Sequence, residues 1–251
     1  MRVHVFTTGR VRRTRATRGV RRYFVDDWGD DTLPVNVFVL EHPEGLCLID
    51  AGQTAAAAKP GYFPSWYPFF RLSRFELQAR DEAGAQLAAA GLDVKRVRRV
   101  VLTHMHTDHV GGIEAFRNAE VVVARAEWEA AQGVRGRLRG YLPQRWPRNV
   151  RPRIADFTGP GIGPFEASYD VAGDGRMLLV PLPGHSPGHA ALLVRVSTTR
   201  TFLFAGDAAL RAEELGDSAP AVAEWCRREG VVVLTAHDDA ARALVAATEP
   251  A

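Results

Sequence analysis

Three histidines and an aspartate fall within one six-residue run, His104-Met105-His106-Thr107-Asp108-His109. Imidazole and carboxylate are the usual ligands of zinc and similar divalent cations. A lone histidine is more often a packed or exposed residue. A run this dense, between the apolar stretch 97–102 and the pair Gly111-Gly112, reads as a metal-binding turn. The glycines are expected to let the chain turn sharply with no Cβ beside the metals. Three further places carry a ligand-type residue just past an apolar run. They are Pro183-Gly184-His185-Ser186-Pro187-Gly188-His189, Phe204-Ala205-Gly206-Asp207 and Leu234-Thr235-Ala236-His237. His189 closes the first of these three runs, and His4 and His42 lie outside all of them.

These residues can meet only if a scaffold brings separate strand ends together. The pattern predicts strands over 3–7, 35–40, 46–49, 97–102, 121–124, 177–181, 190–196, 201–204 and 231–235. Residues 35–49 read as a hairpin through Glu41-His42-Pro43-Glu44-Gly45, ending in the turn Asp50-Ala51-Gly52. Helices are predicted over 81–90, with Leu87 inward and Gly91 as the stop, and over 112–116, 126–131, 219–228 and 240–247. Residues 132–165 read as a long irregular excursion. Residues 60–70 carry three prolines and six aromatics, which excludes a regular element and predicts an ordered loop on an apolar surface. Strands alternating with helices imply an α/β fold of sheets with helices outside them. Such folds place sites at the C-terminal strand edge. One domain over 1–251 is the simplest organisation.

Composition excludes several classes. With 46% hydrophobic and 24% charged residues the chain reads as an ordinary globular protein. No apolar run approaches a membrane span, and the start, MRVHVFTTGR, has no apolar signal region, so a cytoplasmic location and no membrane partner are expected. Cys47 and Cys226 form no CxxC pair and are expected as buried thiols. Apart from Lys59 and Lys95, every basic side chain is arginine. The cluster Arg10, Arg12, Arg13, Arg15, Arg18, Arg21 and Arg22 is either a nucleic-acid footprint or a solvated hairpin or loop paired with Asp26, Asp27, Asp30 and Asp31. No nucleic-acid-binding motif accompanies it, so no nucleic-acid partner is expected.

The ordered set His104, His106, Asp108, His109, His185, Asp207 and His237 resembles the metallo-β-lactamase superfamily over roughly residues 33–240. The resemblance implies an αββα sandwich holding two divalent ions, most simply zinc, with iron, manganese or cobalt as alternatives. It implies that His104, His106 and His185 take one metal, that Asp108, His109 and His237 take the other, and that Asp207 bridges them. Asp108 would also orient the nucleophile or carry a proton to the leaving group. Asp50 matches an aspartate at the end of an early family strand and would hold a ligand imidazole or the motif loop. The stretches 101–112, 118–120, 126–131, 183–189 and 205–209 look like the quorum-quenching N-acyl-homoserine lactonase branch. That likeness implies ring opening of a lactone by an activated water. It makes Phe63, Trp66, Tyr67, Phe69 and Phe70 candidates for an acyl pocket or a homodimer contact, or simply for cover over a core edge. The branch usually carries a tyrosine three residues after the bridging aspartate, to meet the substrate carbonyl. Here that position is Leu210, and the segment from Asp207 to His237 looks short. Tyr141 and Tyr169 are the substitutes to look for. A thioesterase or phosphodiesterase on the same site, and a metal-binding relative with little activity, are the alternatives.

Overall fold

The computed structural model describes residues 1–14, 28–64, 73–147 and 150–248. Seven strands form the first sheet: β1 (Val3–Thr14), β2 (Trp28–His42), β3 (Gly45–Ile49), β4 (Ser73–Glu76), β5 (Val97–Val101), β6 (Glu120–Ala124) and β7 (Arg153–Ala155). Their order is β4-β1-β2-β3-β5-β6-β7, antiparallel as far as β3 and parallel from β3 to β7. Five strands form the second: β8 (Tyr169–Asp170), β9 (Met177–Pro181), β10 (Ala190–Arg195), β11 (Thr201–Phe204) and β12 (Val232–Leu234). Only its β11–β12 pair is parallel.

Side-chain alternation along the strands builds the layers. Phe38, Leu40, Leu192 and Val194 point between the sheets, where they meet Ile49, Val101, Leu179, Phe202 and Phe204. The intervening Val37 and Val39 point outward onto Leu87 of α1 (Ala83–Ala89) and Val110 of α2 (Thr107–Val110). Short helices α3 (Arg125–Ala130) and α4 (Gly133–Leu138) follow β6. On the second sheet, Ala191 and Leu193 point outward onto Leu215 of α5 (Leu215–Ser218) and onto Val222 and Cys226 of α6 (Pro220–Glu229). The last helix, α7 (Ala241–Ala246), sends Ala241 and Val245 into the inter-sheet core. The result is the expected αββα sandwich. Both cysteines are free and buried, and burial pushes their thiols up to about 12 for Cys47 and about 11 for Cys226.

Three expectations change. The first strand runs on to Thr14, because Arg10–Arg12 pair with β2 on one side and Arg10–Arg13 with β4 on the other. Its arginines look solvated in sequence, yet alternation sends Arg10 to Asp239 at 2.9 Å and Arg12 to Glu76 at 2.9 Å. Those carboxylates are their partners among the described residues; Arg15, Arg18, Arg21 and Arg22, and the side chains of Asp26, Asp27, Asp30 and Asp31, lie outside them. The excursion 132–165 holds α4 and β7, the latter closing the edge of the first sheet. Among the described residues no helix is long and apolar enough to cross a membrane.

Phe204 is fully buried with its ring 5.0 Å from that of Phe38 across the sandwich. Phe204→Ala is expected to cost about 3–5 kcal/mol, the range for emptying an aromatic core position. Urea unfolding measures it, and a loss below about 1 kcal/mol would contradict the two-sheet core.

Candidate metal centre

Strand ends converge on one point. β5 stops at Val101, β11 at Phe204 and β12 at Leu234, and each carries its histidine or aspartate, His104, Asp207 or His237, three residues further on. His185 comes from the loop after β9, and Asp50 directly follows β3. His106 caps α2, so Asp108 and His109 lie in its single turn. The Gly111-Gly112 pair works differently from the expectation. Neither glycine has a positive φ, so no unusual turn requires them. A Cβ on Gly112 would instead meet the Ala51 carbonyl oxygen at 2.3 Å, and one on Gly111 the Gln53 side chain at 2.4 Å. They let the motif pack against the Asp50–Gln53 turn.

All seven expected ligand residues come together. Nδ1 of His106 lies 3.0 Å from His104 Nε2 and 2.9 Å from His185 Nε2. Asp108, His109 and His237 make a second group, and His104, His109 and Asp207 a third that overlaps both. Asp207 stands between them: Oδ1 is 3.1 Å from His109 Nε2, and Oδ2 is 3.3 Å from His237 Nε2 and 3.5 Å from His185 Nε2. His109 Nε2 and Asp207 Oδ1 are buried and do not align as a hydrogen bond despite their proximity. Nitrogen and oxygen donors turned on one another in this way suit divalent cations.

The far ring nitrogens are tied down. Nδ1 of His109 donates to Asp50 Oδ2 at 2.7 Å, and Nδ1 of His237 to the Pro34 carbonyl at 2.7 Å. His104 Nδ1 meets the Thr103 hydroxyl at 3.2 Å, and His106 Nε2 the Arg139 carbonyl at 3.3 Å. Such partners fix tautomer and ring orientation. His189 is structural: it donates from Nδ1 to Leu182 O at 2.9 Å and accepts the Asp207 N–H at 3.2 Å on Nε2. Burial pushes it down to about 4, so it stays neutral. Asp50 holds both the imidazole and the loop, since it also accepts the Thr103 N–H at 2.8 Å and the Thr103 hydroxyl at 2.9 Å. It does so from a left-handed backbone, φ 61°.

Electrostatics splits the histidines. Burial, reinforced by neighbouring imidazoles, holds His104 well below its ordinary range. Burial also lowers His106 and His185 against the pull of Asp108 and Asp207. Burial opposes charge on His109 and His237 too, but Asp207 and Asp108, joined at His109 by Asp50, together outweigh it and raise both. Burial would raise Asp207 itself, yet His237 and His109 hold it well below the carboxylate range.

The sequence reading missed Glu127. Its fully buried carboxylate accepts the Met105 N–H at 2.8 Å, the Ser186 hydroxyl at 2.6 Å and the Gly188 N–H at 3.2 Å. Met105 lies between His104 and His106, and Ser186 follows His185, so one α3 side chain ties two ligand loops together. Gly188 has no room for a side chain, because a Cβ there would be 1.9 Å from the Glu127 nitrogen. The clue in sequence was an acid on a helix face that otherwise packs.

A cavity of about 500 Å³ opens over the centre, lined by His106, Asp108, His185, Asp207 and His237. Its wall includes Val11, Leu33, Phe63 and Phe75, with Leu210 and Thr107 nearby. Phe63 thus lines the cavity, while Trp66, Tyr67, Phe69 and Phe70 lie outside the described residues. Neither Tyr141 nor Tyr169 lines it, so neither stands in for the donor missing at Leu210. Tyr141 is fully buried under the His106 ring, centroids 5.0 Å apart. Arg145 holds the loop carrying Phe63: its guanidinium lies 4.7 Å over the Tyr62 ring and donates to the carbonyls of Gly61 and Tyr62.

The sandwich and this convergence of strand ends define a class: the chain belongs to the metallo-beta-lactamase superfamily, whose profile matches residues 30–248. Within it the chain falls in the N-acyl homoserine lactonase-like branch. It is 32% identical to the N-acyl homoserine lactonase AttM of Azorhizobium caulinodans, over 76% of this chain and 70% of that one. It is 29% identical to the AttM lactonase of Rhizobium johnstonii, over 84% of each chain. A solved N-acyl homoserine lactone hydrolase, with product N-hexanoyl-L-homoserine at its catalytic metal centre, shares the fold with a TM-score of 0.70 at 22% identity, covering 94% of this chain and 93% of that one.

Glu127→Ala leaves three donors unpaired in the interior, each worth about 1–3 kcal/mol, so a loss of about 3 kcal/mol or more is expected. Glu127→Gln keeps an acceptor and should lose less. Denaturant titration of both variants checks this; equal stability of wild type and Glu127→Ala would remove the tie.

Proposed function

We propose that the chain, acting as one unit over 1–251, is a hydrolase working with two divalent cations that opens N-acyl homoserine lactones or related lactones. The observation that carries the reading is the meeting of His104, His106 and His185 with Asp108, His109 and His237 around Asp207 on the floor of a cavity with an apolar wall. His104, His106 and His185 would hold one cation, Asp108, His109 and His237 the other, and Asp207 both. Zinc suits this nitrogen and oxygen set best, with iron, manganese and cobalt as alternatives. When bound, such a pair supplies Lewis acidity that lowers the pKa of water and polarises a carbonyl.

The chain's own residues do the rest. Asp108 Oδ2 lies 3.6 Å from His237 Nε2, and the residue lines the cavity, so its carboxylate is placed to orient a water and pass a proton to the leaving alkoxide. Phe63, Phe75, Leu33 and Val11 offer surface to an acyl chain. Relatives named as N-acyl homoserine lactonases support the lactone. Leu210 favours a second reading, a thioesterase or phosphodiesterase on the same centre, because it puts no hydroxyl over the reacting carbonyl.

Purified protein is expected to carry two metals per chain and to open N-hexanoyl homoserine lactone, seen as proton release with a pH indicator. Chelation should abolish the rate and added metal restore it. Asp108→Asn should lower kcat by about 10²-fold or more. Two metals without ring opening would transfer the reading to thioesters and phosphodiesters. Fewer than two would leave a weakly active metal-binding relative.

A further inference from the structure

We propose that the cavity selects substrates carrying an anionic group remote from the bond that is broken, gripped by Arg13 and Arg139. This inference rests on the hydrolase reading above and names the substrate class.

Both residues line the same cavity as the metal centre. Arg13 stands on the wall where β1 pairs with β4, opposite Ser73. It shares the cavity-facing side of β1 with Val11, while Arg10 and Arg12 point the other way to Asp239 and Glu76. Arg139 follows α4, and its main-chain carbonyl contacts the His106 ring at 3.3 Å. Its side chain therefore starts at the rim of the centre.

Among the described residues that line the cavity, Arg13 and Arg139 are the arginines. Arg10, Arg12, Arg99, Arg125 and Arg153 all have a carboxylate partner. Among the described residues Arg13 and Arg139 have none. Among the described residues the acids lining the cavity are Asp108 and Asp207, both turned into the histidine groups. A neutral acyl chain gains nothing from two guanidiniums in its wall. A carboxylate or phosphate does, because the planar fork pairs with it through two parallel hydrogen bonds. The apolar wall beside them suits the chain between that anion and the reacting carbonyl. A carboxylate-ended acyl chain is the simplest such molecule.

The test compares two lactones that differ at one end: N-hexanoyl homoserine lactone and its N-adipoyl counterpart, in which a carboxylate replaces the terminal methyl. With metal-loaded protein, kcat/KM for the adipoyl compound should exceed that for the hexanoyl compound by about 5–10-fold at low salt, mainly through KM. The ratio should shrink between about 50 and 500 mM salt as screening grows. It should fall towards one in Arg13→Ala, Arg139→Ala and the double variant, and the Arg→Lys changes should keep part of it. A wild-type ratio of one or below overturns the proposal. So does a high ratio that persists in the double variant, since the carboxylate would then be binding elsewhere, for instance at the metals. If neither lactone opens, the lactonase reading fails, and calorimetric binding of the two ring-opened acids decides this one. Tighter binding of the adipoyl acid, lost in the double variant, supports it, and equal binding overturns it.

Discussion

A buried imidazole cannot leave a ring N–H unpaired without cost, and that constraint sets the direction of the ring nitrogens turned into the candidate metal centre. His109 spends Nδ1 on Asp50, His237 spends Nδ1 on Pro34 O, and His104 spends Nδ1 on the Thr103 hydroxyl. Each ring then has one nitrogen left, and each turns it towards Asp207 or its neighbours. His106 is turned the other way round, with Nε2 on the Arg139 carbonyl and Nδ1 inward. The orientation of the centre is therefore written in the backbone and hydroxyl groups behind it. Asp50 matters most, because it serves His109 and Thr103 together and links the end of β3 to the motif after β5.

The two halves of the sandwich must also be kept in register, since the histidines come from both sheets. Glu127 meets that need from α3, on the outer face of the first sheet. Its carboxylate bonds the loop after β5 and the loop after β9, so His104 and His106 cannot drift from His185. Burying a carboxylate is expensive unless every lone pair finds a donor. Three donors meet that demand here, and the same arrangement makes the position sensitive to substitution.

Much of this was legible in the sequence, for a definite reason. Ligands follow strand ends at short fixed intervals, so their spacing shows through a one-dimensional reading. The interior strands were legible for the same kind of reason: runs such as Val37–Leu40 and Ala190–Val194 are apolar on both faces because both faces are covered. The misses also have physical causes. The second half of β1 is rich in arginine and looks solvated, yet main-chain pairing to two neighbours decides its state. β7 sits among prolines and glycines that signal loop. Glu127 and Glu129 look alike in sequence, and only the fold buries one and exposes the other. Gly111 and Gly112 serve the close approach of another segment rather than a sharp turn, and only the folded structure can show that.

The short segment from Asp207 to His237 separates two demands that sequence alone runs together. Assembling the centre needs β12 beside β11, with a crossover long enough to join parallel strands. The helices α5 and α6 supply it, packing Leu215, Val222 and Cys226 on the sheet, and His237 arrives 3.3 Å from Asp207. A crossover of this length therefore brings His237 to Asp207. What differs is the roof: Leu210 faces the cavity without a hydroxyl and gives its main-chain oxygen to Thr235. A site built to hydrogen-bond its substrate rejects analogues strongly, whereas an apolar contact discriminates weakly. Without a donor at Leu210, discrimination has to come from the side walls. Among the described residues there, the charged groups without a carboxylate partner are the guanidiniums of Arg13 and Arg139, so on the proposal above recognition shifts from the reacting carbonyl to the far end of the substrate.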